Sequence, residues 1–432
     1  MSPIMRAATI PTTNRAKVAK EPTASGRLLL LVPTTSYRIG DFLQAAERLG
    51  VDVAVGSDQH SVLAQFSPGR TMTVDLMDLA RGVSQIAGYH RDYPLAAIIG
   101  VDQETTLLAA KAGEALELRH NAPASVEATG NKYRFRNRLA NSGLPAPWFT
   151  LLDLADDPGG QARNMPYPVV LKPLALSASR GVIRANDPQQ FLAARKRIEA
   201  ILAGSGQRGE AASHILVEAY IPGQEVALEG LLDAGELKVL ALFDKPDPLE
   251  GPFFEETIYI TPSRLPTGIQ SDIAATVANG VATLGLRHGP IHAELRINAQ
   301  GAWLIEVAAR SIGGLCARAL DFGGAGRLED LIIRHALGIP ATDGAAQTAS
   351  GVMMIPIPCA GVLRQVDGLE AAAAVPGIQD ITISIPLGDS LVPVPEGNRY
   401  LGFIFSNGAT PDAVEAALRQ AHGLLQFEIE AA

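Results

Sequence analysis

Apolar positions set the first division of the chain. From Gly26 onward, short apolar runs alternate with amphipathic stretches. RLLLLVP (27–33), VDVAVG (51–56) and LAAIIGV (95–101) are separated by segments such as DFLQAAERLG and ETTLLAAKAGEALEL. Runs without in-and-out alternation read as strands buried on both faces, and helices between them imply parallel pairing with crossovers. An N-terminal parallel α/β domain is expected over residues 26–123. From about 124 to 345 the pattern is mixed. The helical stretch NKYRFRNRLANSG precedes strands at PVVLKPL, HILVEAYI, EVALEGLLD and ELKVLALFDK, and IQSDIAATVANGVATLGL and LEDLIIRHALG are further helices. This is an α+β unit. Residues 346–432 return to strands (VMMIPIP, ITISIPL, YLGFIFSNG) and end on the helix PDAVEAALRQAHGLL, with Thr410 as N-cap and Pro411 at N1. A C-terminal β-rich domain is expected there. Residues 1–25, rich in Ser, Thr, Ala and Pro, are expected to be a disordered extension.

Composition narrows the function classes. The 432 residues are 47% hydrophobic and 19% charged with a net charge of −9, which argues against a nucleic-acid groove while leaving room for a local anion pocket. Two cysteines, Cys316 and Cys359, imply neither a disulfide framework nor a metal site. No apolar run reaches the ~18 residues of a membrane span. A cytoplasmic protein without a membrane or nucleic-acid partner is expected. No Gly-x-Ser-x-Gly elbow or His/Cys ligand spacing occurs, and GSGQRG (204–209) follows a helix and precedes a strand, the wrong order for a dinucleotide turn.

Three stretches carry candidate chemistry. HAELRINAQGAWLIEVAAR (292–310) reads as a hairpin. A three-residue loop, Ala299 to Gly301, places Asn298 opposite Ala302 and therefore Glu294 opposite Glu306, with His292, Leu304, Ala308 and Arg310 on the same face. Opposed carboxylates repel unless a cation lies between them. Either a cation is held there, or Arg296 and Arg310 neutralise an exposed face. In YPVVLKPLALSASRGV (167–182) a buried strand delivers Lys172, and the small residues Ser177, Ala178 and Ser179 lead into Arg180 and Gly181. Such a loop can bring backbone N–H groups to phosphate oxygens, or can be a plain surface turn. In ILVEAYIPGQEVALEG (215–230), Glu218 and Glu225 flank a turn, which suits an adenosine, although taken alone the stretch reads first as an ordinary turn with surface acids.

Taken in this order, the stretches resemble the ATP-grasp superfamily over residues 26–432. That resemblance implies an ATP-grasp domain with a mobile lid at about 150–222. It implies Lys132 and Lys172 on the ATP phosphates, Ser177, Ser179, Arg180 and Gly181 in the lid's phosphate loop, and Glu218 with Ala219, Tyr220 and Ile221 at the adenine. It further implies Glu225 beside the ribose, and Glu294 and Glu306 on Mg²⁺, with Mn²⁺ as an alternative. Ala308 stands where many members have a metal-binding Asn. Arg310 takes the place of an arginine that binds the substrate carboxylate. GPFFEETIYITPS (251–263) and LIEVAARSIGG (304–314) resemble the bacterial L-amino-acid ligases, which implies amino-acid or carboxylate substrates, with Glu255 and Glu256 as candidates for an α-ammonium and Gly313 and Gly314 at the substrate. The expected activity is an ATP-dependent carboxylate–amine ligase working through an acyl phosphate; a biotin-type carboxylase or a purine-biosynthesis ligase is the alternative. A homodimer is compatible with the resemblance. Lys245, in FDKPDP, reads first as a solvent-facing loop lysine and second as a phosphate contact.

Overall fold

The computed structural model describes residues 26–60, 68–340, 344 and 348–431. The N-terminal extension lies outside the described residues, as do residues 341–343 and 345–347 at the boundary expected near residue 345.

Strands β1 (Arg27–Leu31), β2 (Val53–Ser57), β3 (Thr71–Thr73) and β4 (Leu95–Gly100) form a parallel sheet in the order β3-β2-β1-β4. Leu28 to Leu31 are all fully buried, because helices cover both faces of this central strand.

A second, smaller sheet holds β5 (Phe149–Asp153), β6 (Val169–Pro173), β7 (Ile183–Ala185) and β8 (His214–Ala219) in the order β5-β8-β6-β7, all antiparallel. Helix Pro188–Ala203 packs Phe191, Ala194, Ile198 and Ile201 on it, giving this lobe its own core. It occupies the stretch in which a lid is expected, about 150–222.

The third sheet begins with β9 (Gln224–Asp233), β10 (Glu236–Asp244), β11 (Ile258–Thr261), β12 (Gly289–Asn298) and β13 (Gly301–Ala308). The C-terminal region adds β14 (Ala349–Ile355), β15 (Gly361–Asp367), β16 (Ile378–Ile383), β17 (Ser390–Leu391), β18 (Gly402–Gly408) and β19 (Gln426–Glu430). Eight of these make one sheet, β13-β12-β9-β10-β11-β14-β18-β16, while β15, β17 and β19 form a separate three-stranded sheet. The third region is thus joined to the second by the β11–β14 ladder, in which Ile258 pairs with Met353 and Tyr259 with Val352. Alternation on β9 and β12 sends Val226, Leu228, Ile291, Ala293 and Leu295 into a core with helix Thr267–Leu284. The intervening Glu225, Glu229, His292, Glu294 and Arg296 face the opposite side.

The hairpin departs from expectation in one detail. Asn298 pairs with Gly301, so the loop has two residues, Ala299 and Gln300, and the register starts one residue short. A β-bulge at Ile305 restores it: Leu295 pairs with Leu304 but Glu294 with Glu306. The bulge also turns Leu304 away from Glu306; it is buried against the helix with Leu295.

Candidate active site

The parallel sheet, the smaller antiparallel sheet and the eight-stranded sheet meet at a cleft of about 690 Å³, a size suited to a small-molecule ligand. The hairpin supplies His292, Glu294, Arg296, Glu306 and, just beyond it, Arg310; the lid supplies Lys172 and Ser177 to Ser179. The parallel domain adds Arg38 and Asp102 to Glu104, and the C-terminal region adds Met354 and Asn398 to Tyr400.

At the lid side, Glu218 is 2% exposed and ion-paired twice, to Arg136 (Nε–Oε2, 2.9 Å) and to Lys172. Burial would raise its pKa, but Arg136 and Lys172 outweigh it and hold the carboxyl below its ordinary range. Each of its oxygens therefore carries a fixed cation, while the residue still lines the cleft beside Ala219 to Ile221. The nearby backbone is partly engaged as well. The Ala219 N–H donates to the Trp148 carbonyl (2.8 Å) and the Tyr220 N–H to the Pro168 carbonyl (3.0 Å), while Pro168 has no N–H to return to Tyr220. The Ile221 carbonyl accepts from Arg296 Nη1 at 3.1 Å.

Arg136 escaped the sequence reading. It lies on helix Lys132–Asn141, one turn from Lys132 and so on the same helix face, and that i, i+4 spacing was the available signal. Its guanidinium also donates to the Leu304 (2.7 Å) and Ile305 (3.3 Å) carbonyls, the backbone of the bulge. Lys132, at the start of that helix, donates to the Leu176 carbonyl at 2.6 Å and stands 3.6 Å from Glu306 Oε2. It links the lid loop to the hairpin.

Lys245 overturns its first reading. It is 4% exposed, not solvent-facing, and its Nζ contacts Glu225 Oε1 (2.9 Å), Glu256 and, at 3.5 Å, Glu294. These three glutamates would qualify by spacing as a metal cluster, but the ammonium already stands among them. Burial opposes its charge, yet the three carboxylates push its pKa well above the ordinary lysine value. Glu225 is additionally held by Arg296 Nε at 3.0 Å. Glu256, which the sequence offered for an α-ammonium, is already bonded to Lys245 and to the Tyr259 hydroxyl (2.7 Å), and Glu255 is absent from the cleft wall. Gly313 and Gly314 do line it.

Glu294 and Glu306 remain. They sit side by side on neighbouring strands, and both are held below the ordinary carboxylate range despite burial, Glu294 by Lys245 and His292, Glu306 by Lys132, Arg310 and Lys172. Ala308 is buried opposite His292 and offers no ligand atom. His292 itself hydrogen-bonds Glu229 (2.6 Å) and approaches Glu294 (3.4 Å); burial would lower its pKa, but these bonds raise it to about 9. Two ionised carboxylates with hard oxygen donors fit a divalent cation such as Mg²⁺, which takes few protein ligands and completes its shell with phosphate and water.

In the lid loop, Ala178 and Ser179 both adopt φ = 53° and Gly181 φ = 72°. A left-handed conformation is costly for the two non-glycine residues, a feature often stored at ligand-binding loops. Ser177 to Ser179 face the cleft, whereas Arg180 and Gly181 are drawn to the C-terminal region: the Gly181 N–H donates to the Pro395 carbonyl (2.8 Å) and Arg180 Nε to the Glu396 carbonyl (2.9 Å).

Family models match three parts of the chain. An ATP-grasp N-terminal domain matches residues 43–120, an ATP-grasp domain residues 165–319, and an L-amino acid ligase C-terminal domain residues 353–430. Dapdiamide A synthase of Enterobacter agglomerans is 30% identical over 51% of this chain and 52% of its own length. Alanine–anticapsin ligase of Bacillus subtilis is 27% identical over 47% of this chain and 46% of its own length. The chain therefore matches about half the length of these two relatives. The L-amino acid ligase from Bacillus licheniformis superposes with a TM-score of 0.81 at 26% identity, over 95% of this chain and 100% of that one.

Proposed function

We propose that the chain is an ATP-grasp ligase, an enzyme that forms C–N bonds at the expense of ATP, and that it joins an L-amino acid to an amine or a second amino acid. The observation that carries this reading is the pairing of Glu294 with Glu306 at the floor of the cleft, with Lys132 reaching both Glu306 and the lid loop.

A substrate carboxylate oxygen attacks the γ-phosphorus of ATP in line, and ADP leaves with the electrons of the broken P–O bond. The amine then attacks the acyl carbon, and phosphate leaves carrying the oxygen that the carboxylate donated. Lys132 and Lys172 are placed to spread the charge that develops on the transferred phosphoryl group. Arg310, whose Nη1 donates to the Ser311 carbonyl at 2.7 Å, is thereby oriented to hold the carboxylate with the rest of its fork. The small side chains of Ser177 to Ser179 let backbone N–H groups approach the phosphates. Glu294 and Glu306 would hold Mg²⁺, with Mn²⁺ able to replace it, and a divalent cation there supplies neutralisation of the phosphate oxygens. Glu218 and Glu225 act as fixed anions that orient Lys172 and Arg296 beside the nucleotide.

The test is a screen of amino-acid pairs for phosphate release with Mg²⁺. Release that needs an amino acid, accompanied by a dipeptide or amide product, is expected. Stimulation by bicarbonate alone would move the chain to a carboxylase, and no stimulation by any carboxylate would end the ligase reading.

A further inference from the structure

Two segments far apart in sequence meet at the rim of the cleft. Arg197, on the lid helix Pro188–Ala203, forms a two-pronged ion pair with Glu396, its Nη2 lying 2.7 Å from Oε2 and its Nε contacting Oε1. The guanidinium also lies over the Phe253 ring, 4.8 Å from its centroid. The same short loop takes the lid's Gly181 N–H on the Pro395 carbonyl and Arg180 Nε on the Glu396 carbonyl. Immediately before Arg180 stand Ser177, Ala178 and Ser179, which face the cleft. Two residues after Glu396, Asn398 begins the stretch to Tyr400 that lines the cleft from the other side. Segment 250–253 completes the contact, since the Arg184 N–H donates to the Pro252 carbonyl (2.9 Å) and Arg184 Nη1 to the Glu250 carbonyl (2.7 Å).

We propose that Glu396 is a positioning residue for the ligase reaction: by gripping Arg197 it fastens the lid's phosphate-facing loop to the C-terminal loop that lines the substrate end of the cleft. The inference rests on the ATP-grasp reading of that cleft. Its physical content is the control of water. An acyl phosphate is hydrolysed if the lid opens before the amine attacks, so a clasp on the lid loop determines how much ATP is wasted. The pair is exposed by about two-fifths on each partner, so it adds little to overall stability. That makes a role in closure separable from a role in folding.

Arg197→Glu and Glu396→Arg test the clasp singly and together. Each single variant should raise the KM for ATP at least fivefold with a smaller change in kcat, and should at least double the phosphate released per product formed. The charge-swapped double variant should return both quantities to within twofold of wild type. Single variants that leave the ratio of phosphate to product unchanged, or a double variant no better than the singles, would overturn the proposal. Should the reversals fail to fold, Glu396→Gln serves, read by the rate of tryptic cleavage after Arg180 with Mg²⁺ and AMP-PNP. A rise of fivefold or more is expected, and equal rates would refute the clasp. A wild-type protein that is protected by AMP-PNP yet makes no product from any amino-acid pair would sink the ligase reading, leaving the clasp to be judged by the cleavage rates.

Discussion

Glu218 and Glu306 occupy the same cleft and are held ionised by overlapping cations, yet differ in how closely those cations stand. Glu218 is 2% exposed, and Arg136 and Lys172 touch its oxygens. Glu306 keeps 34% of its side chain exposed, and its nearest cation, Lys132, stands 3.6 Å away. The first carboxylate has a cation in contact with each oxygen; the second is kept charged by neighbours that stand farther off. Close contact on both oxygens marks a strut, and an ionised carboxylate whose cations stand off marks a place for a ligand. Lys245 extends the lesson, since it fills a cage of three glutamates that spacing alone would assign to a metal.

The sharpest way to break this contrast is to remove one charge from each side of it. Glu306→Gln should lower amino-acid-dependent phosphate release by about 10³-fold or more, with a melting temperature within about 2 °C of wild type by calorimetry. A variant that keeps a tenth of the activity would remove Glu306 from the chemistry. Glu218→Ala should act on stability, costing about 3–5 kcal/mol in urea unfolding, because Arg136 and Lys172 are left as buried, uncompensated cations. A cost under about 1 kcal/mol would mean that the strut is dispensable.

A smaller effect should follow pH. The raised pKa of His292, about 9 against an ordinary 6.5, means that the folded state binds its proton more tightly than the unfolded chain does. The resulting stabilisation is complete below about pH 6.5 and is lost as pH rises through about 9, amounting to at most about 3.5 kcal/mol at roughly 1.4 kcal/mol per pKa unit. Urea unfolding of wild type and His292→Gln between pH 6 and 10 checks it. The two curves should converge at the alkaline end, and parallel curves would refute the assignment. The smallest change belongs to a third kind of glutamate. Glu127 pairs with Arg134 where both are about half exposed, and Glu127→Ala should alter stability by less than about 1 kcal/mol and leave turnover untouched.

Much of the fold was legible because strand and helix periods differ. The parallel sheet and the helix after Asn131 follow from continuous apolar runs and from the helical period, whereas the facing of Glu294 by Glu306 was reached through a three-residue loop that the structure replaces with two residues and a bulge. The hairpin shows the limit of that reasoning. A two-residue turn and a bulge at Ile305 each shift register by one, and their effects cancel at the glutamates while reversing Leu304. Sequence spacing sees neither shift, because a bulge is fixed by what satisfies its carbonyls, here Arg136 from a distant helix. Lys245 was misjudged for a related reason: it follows Ala241 to Asp244, a run buried on both faces, so alternation gave no hint of where it pointed. Arg197 and Glu396 are 199 residues apart, and nothing local joins them.

The account stands or falls on the carboxylate oxygen that is passed to phosphate. An amino-acid substrate labelled with ¹⁸O in its carboxylate, turned over with ATP and Mg²⁺ and an accepting amine, should release inorganic phosphate carrying one ¹⁸O per product formed, as read by mass spectrometry. Product formed with unlabelled phosphate would contradict an acyl-phosphate ligase.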